Sequence, residues 1–188
     1  MADTRHTTNE TVTARVAQAA AAPLHCAPEK VVATEIPSRF FRTWQFWRAE
    51  DSNVPPGVVF LATDAAKAVL VDTADSFTTI VSAEPVKLAT ADEAIAYVKF
   101  FLSLTKPLVY VLGSVDDVPF VTEAVRARRN ASVRPPHAAA DSAGYSVDAW
   151  LFDSGNLVRA RFAITSSGAI RATLETVEQG AGLNISIE

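Results

Sequence analysis

The chain has 188 residues, 49% of them apolar and 20% charged, with a formal charge of −4. That length supports a sizeable core, and the acidic balance supplies no field to draw nucleic acid or an anionic membrane. A single cysteine excludes an internal disulfide, and no stretch approaches the run of about 18 apolar residues that a membrane span needs.

The first residues lack the basic start and apolar core of a secretory signal, so a cytoplasmic bacterial protein is the expectation. Residues 1–35 read as an N-terminal arm, flexible or a short helix, ahead of a single α+β domain over 36–188. Within the arm, residues 11–22 are alanine-rich and favour a helix. A face made mostly of alanine holds only by docking on something larger, either the body of the protein or a second subunit.

Residues 36–48 are dense in aromatics, with Phe40, Phe41, Trp44, Phe46 and Trp47 interleaved with Arg39, Arg42 and Arg48. Helical spacing collects Phe40, Phe41, Trp44 and Trp47, whereas strand spacing sets Phe46 opposite Trp47. The turn-rich residues 51–57 favour a helical turn near Arg39 followed by a strand. Such a mixture can stack single-stranded nucleic acid. The acidic total charge favours core aromatics covered by arginine stems instead. Residues 58–63 and 68–72 form a hairpin, and residues 76–81 add a short strand or open a helical turn.

Thr90 and Glu93 make a capping box, which predicts a helix over 91–105 stopped by Pro107. Ile95, Tyr97, Val98, Phe100, Phe101, Leu102 and Leu104 surround most of it, so it should be covered on two sides. A strand over 108–112, a turn and a brief helix over 122–129 follow. Residues 130–144, with Pro135 and Pro136, read as a long mobile loop.

The remainder is an antiparallel meander of three alternating runs with turns at Ser154-Gly155 and Ser166-Ser167-Gly168. The first turn pairs Leu151 with Val158, Ala149 with Ala160 and Val147 with Phe162 on one apolar face. The second pairs Ile164 with Ile170, Phe162 with Ala172 and Ala160 with Leu174. On the other face Phe152 meets Leu157, Trp150 meets Arg159 and Asp148 meets Arg161. Arg159 and Arg161 then face Glu175 and Thr173, which makes a charge ladder. A one-residue slip would set Asp148 among apolar neighbours, so the pattern selects this register.

Candidate chemistry is sparse. Trp150, Phe152 and Leu157, with Arg159, form an apolar patch on a nominally wet face, to be covered by a partner or another element. Arg126, Arg128 and Arg129, with Arg134 beyond them, form the one basic run and suit an oxyanion or acidic partner. Asp116 and Asp117 lie near a strand end, where they would act as a base or simply cap a turn. His6, His25 and His137 are isolated, so no metal site or cofactor is expected. No phosphate loop or nucleophile elbow occurs.

The element order gives an α+β fold: a curved antiparallel sheet whose C-terminal meander packs on one long helix. Over residues 58–178 it resembles the NTF2-like and cystatin-like rolls, by architecture only. That resemblance implies a pocket or a dimer formed through the sheet, and enzymes of that kind place Asp, His or Tyr inside the cone. Here the inward positions Val147, Ala149, Leu151, Val158, Ala160, Phe162, Ile164 and Leu174 are all apolar. The expectation is therefore a non-enzymatic binding or accessory protein, self-associating or holding a protein partner or a small apolar ligand. The alternative is a small pocket enzyme (isomerase, hydratase or cyclase) using Asp116, Asp117, Tyr97 or Tyr145.

Overall fold

The computed structural model describes residues 4–52, 57–118 and 121–182. It is α+β, with four α-helices and two antiparallel sheets among those residues. The chain forms two compact units, residues 1–84 and 85–188. Among the described residues no helix is long and apolar enough to cross a membrane.

In the first unit, helix α1 (Thr4–Ala21) precedes a four-stranded meander of β1 (Val31–Ile36), β2 (Gln45–Asp51), β3 (Val58–Thr63) and β4 (Ala68–Leu70). Helix α2 (Ala74–Ala83) closes the unit. The alanine-rich helix does dock on something larger: α1 lies against the strands of this sheet. Val16, Ala20 and Leu24 pack with Trp47, Ala49 and Leu61. Small alanines let the helix approach closely, and the contact supplies the stability that propensity alone does not.

The aromatic segment resolves as a strand without a helical turn at Arg39. Residues 37–44 are bends, organised by the Glu84 carboxylate. It accepts the Arg42 amide at 2.6 Å, the Thr43 amide at 3.1 Å and the Thr43 hydroxyl. Strand alternation then sends Phe46 and Trp47 to opposite faces. Phe46 meets Phe41 at 5.1 Å between ring centroids, and Phe41 meets Phe77 edge-on at 6.1 Å. Trp47 turns to α1 and donates its indole N–H to Thr63 Oγ1 at 3.1 Å. Residues 74–83 are helix rather than strand, because Thr73 and Ser76 form a reciprocal capping box. The connection over 53–56 lies outside the described residues.

The second unit opens with α3 (Ala91–Thr105), in which Thr90 Oγ1 accepts the Glu93 amide at 3.1 Å. Glu93 reaches back to the Ala89 amide at 2.7 Å, one residue before the cap. Then come β5 (Tyr110–Leu112), α4 (Glu123–Arg129), β6 (His137–Asp141), β7 (Gly144–Asp153), β8 (Asn156–Thr165) and β9 (Ile170–Glu178). The sheet order is β5-β7-β8-β9, with β6 also on β7, and α3 packs on β6 and β7.

The meander pairs in the predicted register throughout, from Leu151 with Val158 to Ile164 with Ile170. Ser154 and Gly155 both take positive φ, 50° and 83°, the twist a two-residue hairpin turn needs. Val147, Ala149, Leu151, Val158, Ala160, Phe162 and Ile164 are all buried, each large member worth roughly 1.5–3 kcal/mol.

Three expectations are corrected. The strands at 58–70 belong to the first sheet, so the sheet carrying the meander does not reach back to residue 58 as the roll resemblance implied. Leu174, counted among the inward residues, is 45% exposed because β9 is an edge strand. Residues 137–141 are strand rather than loop, pairing Ala138 with Val147 and Asp141 with Gly144. Asp141 Oδ1 accepts the Ala143 and Gly144 amides at 2.7 and 2.9 Å, which closes that hairpin.

Gly144 sits at φ 146°, and a β-carbon there would lie 2.1 Å from the Ile164 carbonyl oxygen. Gly144→Ala should therefore lower unfolding free energy by about 2 kcal/mol or more, measured by urea denaturation.

Candidate functional site: an arginine-lined cleft

The outward face of β7, β8 and β9 divides into a covered end and an open end. At the covered end Phe152 and Leu157, 5% and 0% exposed, pack with Leu112, Val115, Val118, Val125, Val133 and Ala181. These residues come from β5, the turn after it, α4, the segment beyond α4 and the end of the chain's described part. The patch that sequence pattern offered to a partner is thus covered by the chain's own elements. Trp150 sits at the boundary, packed on this cluster at one edge and lining the open end with another.

The open end is a cleft of about 580 Å³, within the size range of small-molecule sites. Asp148, Ala149, Trp150, Arg159, Glu175 and Val177 come from the sheet. Arg129, Ser132, Arg134, Pro135 and His137 come from the stretch that runs from the last residue of α4 to the first of β6. Two features place that stretch. Buried Val133 anchors it in the apolar cluster, and the pairing of His137 with Asp148 fastens its far end to β7.

The charges in the cleft are not equivalent. Arg161 donates to both Asp148 oxygens, at 2.9 and 3.1 Å, which closes one rung of the expected ladder. These bonds hold the Asp148 carboxyl below its usual value against a smaller opposing push from desolvation. Arg129 is bound to Glu178 at 2.9 Å and to the Val177 carbonyl at 3.1 Å. Among the described residues Arg134 donates only to backbone carbonyls, those of Asn130 at 3.3 Å and Val133 at 3.1 Å. Arg159 is exposed between Trp150 and Glu175, its register neighbours. Among the described residues neither Arg134 nor Arg159 makes an ion pair, so the second rung, Arg159 with Glu175, does not close.

The other predicted residues are placed elsewhere. Arg126 pairs with Asp116 and, at 3.6 Å, with Glu123; Arg128 pairs with Glu178 at 2.8 Å. Of the three arginines expected to bind an anion, only Arg129 lines the cleft, and its charge is already met. Asp117 accepts the Gly113 and Ser114 amides at 2.6 and 3.0 Å, so it caps a turn and its carboxyl is held low by those donors. Tyr97 is fully buried, donates to the Gly168 carbonyl at 2.9 Å, and has its hydroxyl pushed up by burial. Tyr145 is half-buried on β7 opposite Ile164. None of Asp116, Asp117, Tyr97 and Tyr145 lines the cleft. Among the described residues no group of three His, Cys, Asp or Glu side chains is placed to hold a metal ion.

Sequence reasoning missed Ser132 and His137 as cleft residues, and Arg134 as a member separate from its run. The readable signal was Asp141 followed by Gly144 at turn spacing, which would have revealed β6 and fixed the stretch before it. No protein-family model, curated protein or solved structure matches the chain.

Two measurements check this division of the face. Leu157→Ala should destabilise the protein by about 2–5 kcal/mol, a core cost that a surface patch would not show. The lowered Asp148 pKa means its contribution is complete above the unfolded value of 3.8 and is lost as pH falls through the lower folded value. Urea midpoints taken from about pH 6 down to about pH 2 should therefore fall less steeply at the acid end in Asp148→Asn than in the wild type.

Proposed function

We infer that the chain is a non-enzymatic binding protein whose second unit holds a small organic anion with a flat apolar body. The observation that supports this reading is the pair of arginines, Arg134 and Arg159, which make no ion pair among the described residues at a cleft beside Trp150. Guanidinium forks match carboxylate and phosphate oxygens, and an indole face accepts a planar body. Glu175 is the only lining carboxylate that is not already bound by an arginine, so the cleft retains a net positive character. The reading moves the binding surface from the apolar patch to its edge, since Phe152 and Leu157 are internal.

Pocket chemistry of the isomerase or hydratase kind draws no support from the four residues proposed for it. Asp116 and Asp117 are engaged in an ion pair and a turn, and Tyr97 in a buried hydrogen bond. A proton-transfer role needs a titratable group within reach of the bound molecule, and none of these four lines the cleft.

Calorimetric titration with phenyl phosphate, phenylacetate and the neutral benzyl alcohol tests the reading. The two anions should bind and the alcohol should not. Arg159→Ala and Arg134→Ala should each weaken binding by about tenfold or more, the worth of a charge-assisted hydrogen bond. Equal binding of the alcohol, or full affinity in both variants, would count against an anion site.

A further inference from the structure

The second sheet ends in β9, and nothing among the described residues continues it. All of residues 171–176 are exposed. Among the described residues, the one partner of its backbone beyond β8 is Arg129, on the Val177 carbonyl at the strand's far end. Long open edges are usually blunted by lysine, proline or a central bulge. Residues 171–176 contain no lysine or proline, and the register shift falls at Leu157/Val158, opposite the end of β9. Leu174, 45% exposed, lies in register with Ala160, which is 1% exposed, so an apolar face stops one strand short of its boundary.

We propose that two copies of the chain pair their β9 strands antiparallel about a two-fold axis at Thr173, joining two sheets into one. The register follows from symmetry. A two-fold axis perpendicular to the sheet keeps each face on its own side, so only residues of the same face meet. With the axis at Thr173, Arg171 stands opposite the second copy's Glu175, and the reciprocal pair forms on the other side of the axis. On the opposite face Leu174 meets the second copy's Ala172, again twice. Placing the axis at Glu175 would set that carboxylate against itself. Placing it at Leu174 would set Arg171 against Val177 and Glu175 against Thr173. The axis at Ala172 would set Arg171 against Thr173 and leave Glu175 beyond the strand. Only the Thr173 axis matches both charges, and among the described residues neither Arg171 nor Glu175 has an ion pair within its own chain. Opposite charges directly across two strands are favourable and like charges are not.

The dimer stands apart from the ligand reading, because its contacts are backbone edge, Arg171–Glu175 and Leu174–Ala172. It does bear on the cleft: Glu175 is a lining residue, and the second copy's Arg171 would offset the carboxylate that opposes an anion there. One added strand pair is a small interface, so association should be weak and dependent on concentration.

Sedimentation across a dilution series should show a monomer–dimer equilibrium. Arg171→Glu should weaken it by about tenfold, since two like-charge pairs replace two opposite ones, and the exchanged variant Arg171→Glu/Glu175→Arg should restore it. Thr173→Cys in a Cys26→Ser background should form a disulfide-linked dimer under mild oxidation, because opposed residues on paired strands lie within disulfide reach. Thr176→Cys should not, since the two copies of that residue would lie about 20 Å apart. A protein that stays monomeric at the highest concentration reached overturns the proposal. So does a dimer that Thr173→Cys fails to link while Arg171→Glu leaves it intact. The cross-link and the charge exchange need no ligand, so their failure is distinguishable from a failure of the anion site.

Discussion

The two-residue alternation of β8 is the constraint on which the second unit depends. Between Asn156 and Thr165 it sends Val158, Ala160, Phe162 and Ile164 to one side and Leu157, Arg159 and Arg161 to the other. The Ser154–Gly155 turn locks that alternation to β7, because a one-residue slip would put every side chain on the wrong face. Everything chemical in this unit inherits the register. Arg161 reaches Asp148 because the two are opposed. Arg159 is left beside Trp150 and Glu175 because they occupy the next rungs. The cleft is therefore a by-product of strand pairing until the stretch after α4 is laid over it.

That overlay explains how an apolar patch and a charged cleft share one sheet face. Leu112, Val115, Val125 and Val133 spend the apolar end on internal packing, which removes Phe152 and Leu157 from solvent. Burying them is favourable in its own right and needs no partner. The same segment continues through Arg134 and Pro135 to His137, and so brings polar groups opposite the sheet at the point where the apolar cover ends. Trp150 marks that boundary, partly buried against the cluster behind it.

The meander was legible because its information is local. Alternating residues, a two-residue turn and a glycine at φ 91° at the second turn leave one register open. The capped helix α3 was legible for the same reason, since Thr90, Glu93 and Pro107 bound it within the segment. What escaped was decided by contacts between segments distant in sequence. Residues 137–141 have weak strand propensity, and β7 imposes the strand by offering unpaired backbone. In residues 37–44 the Arg42 and Thr43 amides go to Glu84, some forty positions away, and not to a helical turn. Burial opposes that carboxylate's charge, but the Thr43 hydroxyl and the neighbouring amides outweigh it and hold its pKa low. The cleft combined both kinds of information. Trp150 and Arg159 were readable as a cross-strand pair, whereas Arg134 and His137 became site residues only through an overlay that no local pattern encodes.

The arginines of this unit separate by what they leave unmet. Arg126, Arg128, Arg129 and Arg161 each answer a carboxylate of the chain, and such exposed pairs contribute little to stability. Replacing Arg126 or Arg161 would remove the arginine that pairs with Asp116 or Asp148, whereas Arg128 and Arg129 share Glu178. Arg134 and Arg159 make no ion pair among the described residues, although the Arg159 charge adds a lesser pull on the Asp148 carboxyl. Arg171 and Glu175 are in the same position on the strand edge. The two sets differ in place: Arg134 and Arg159 line the cleft, while Arg171 and Glu175 lie along the exposed edge strand.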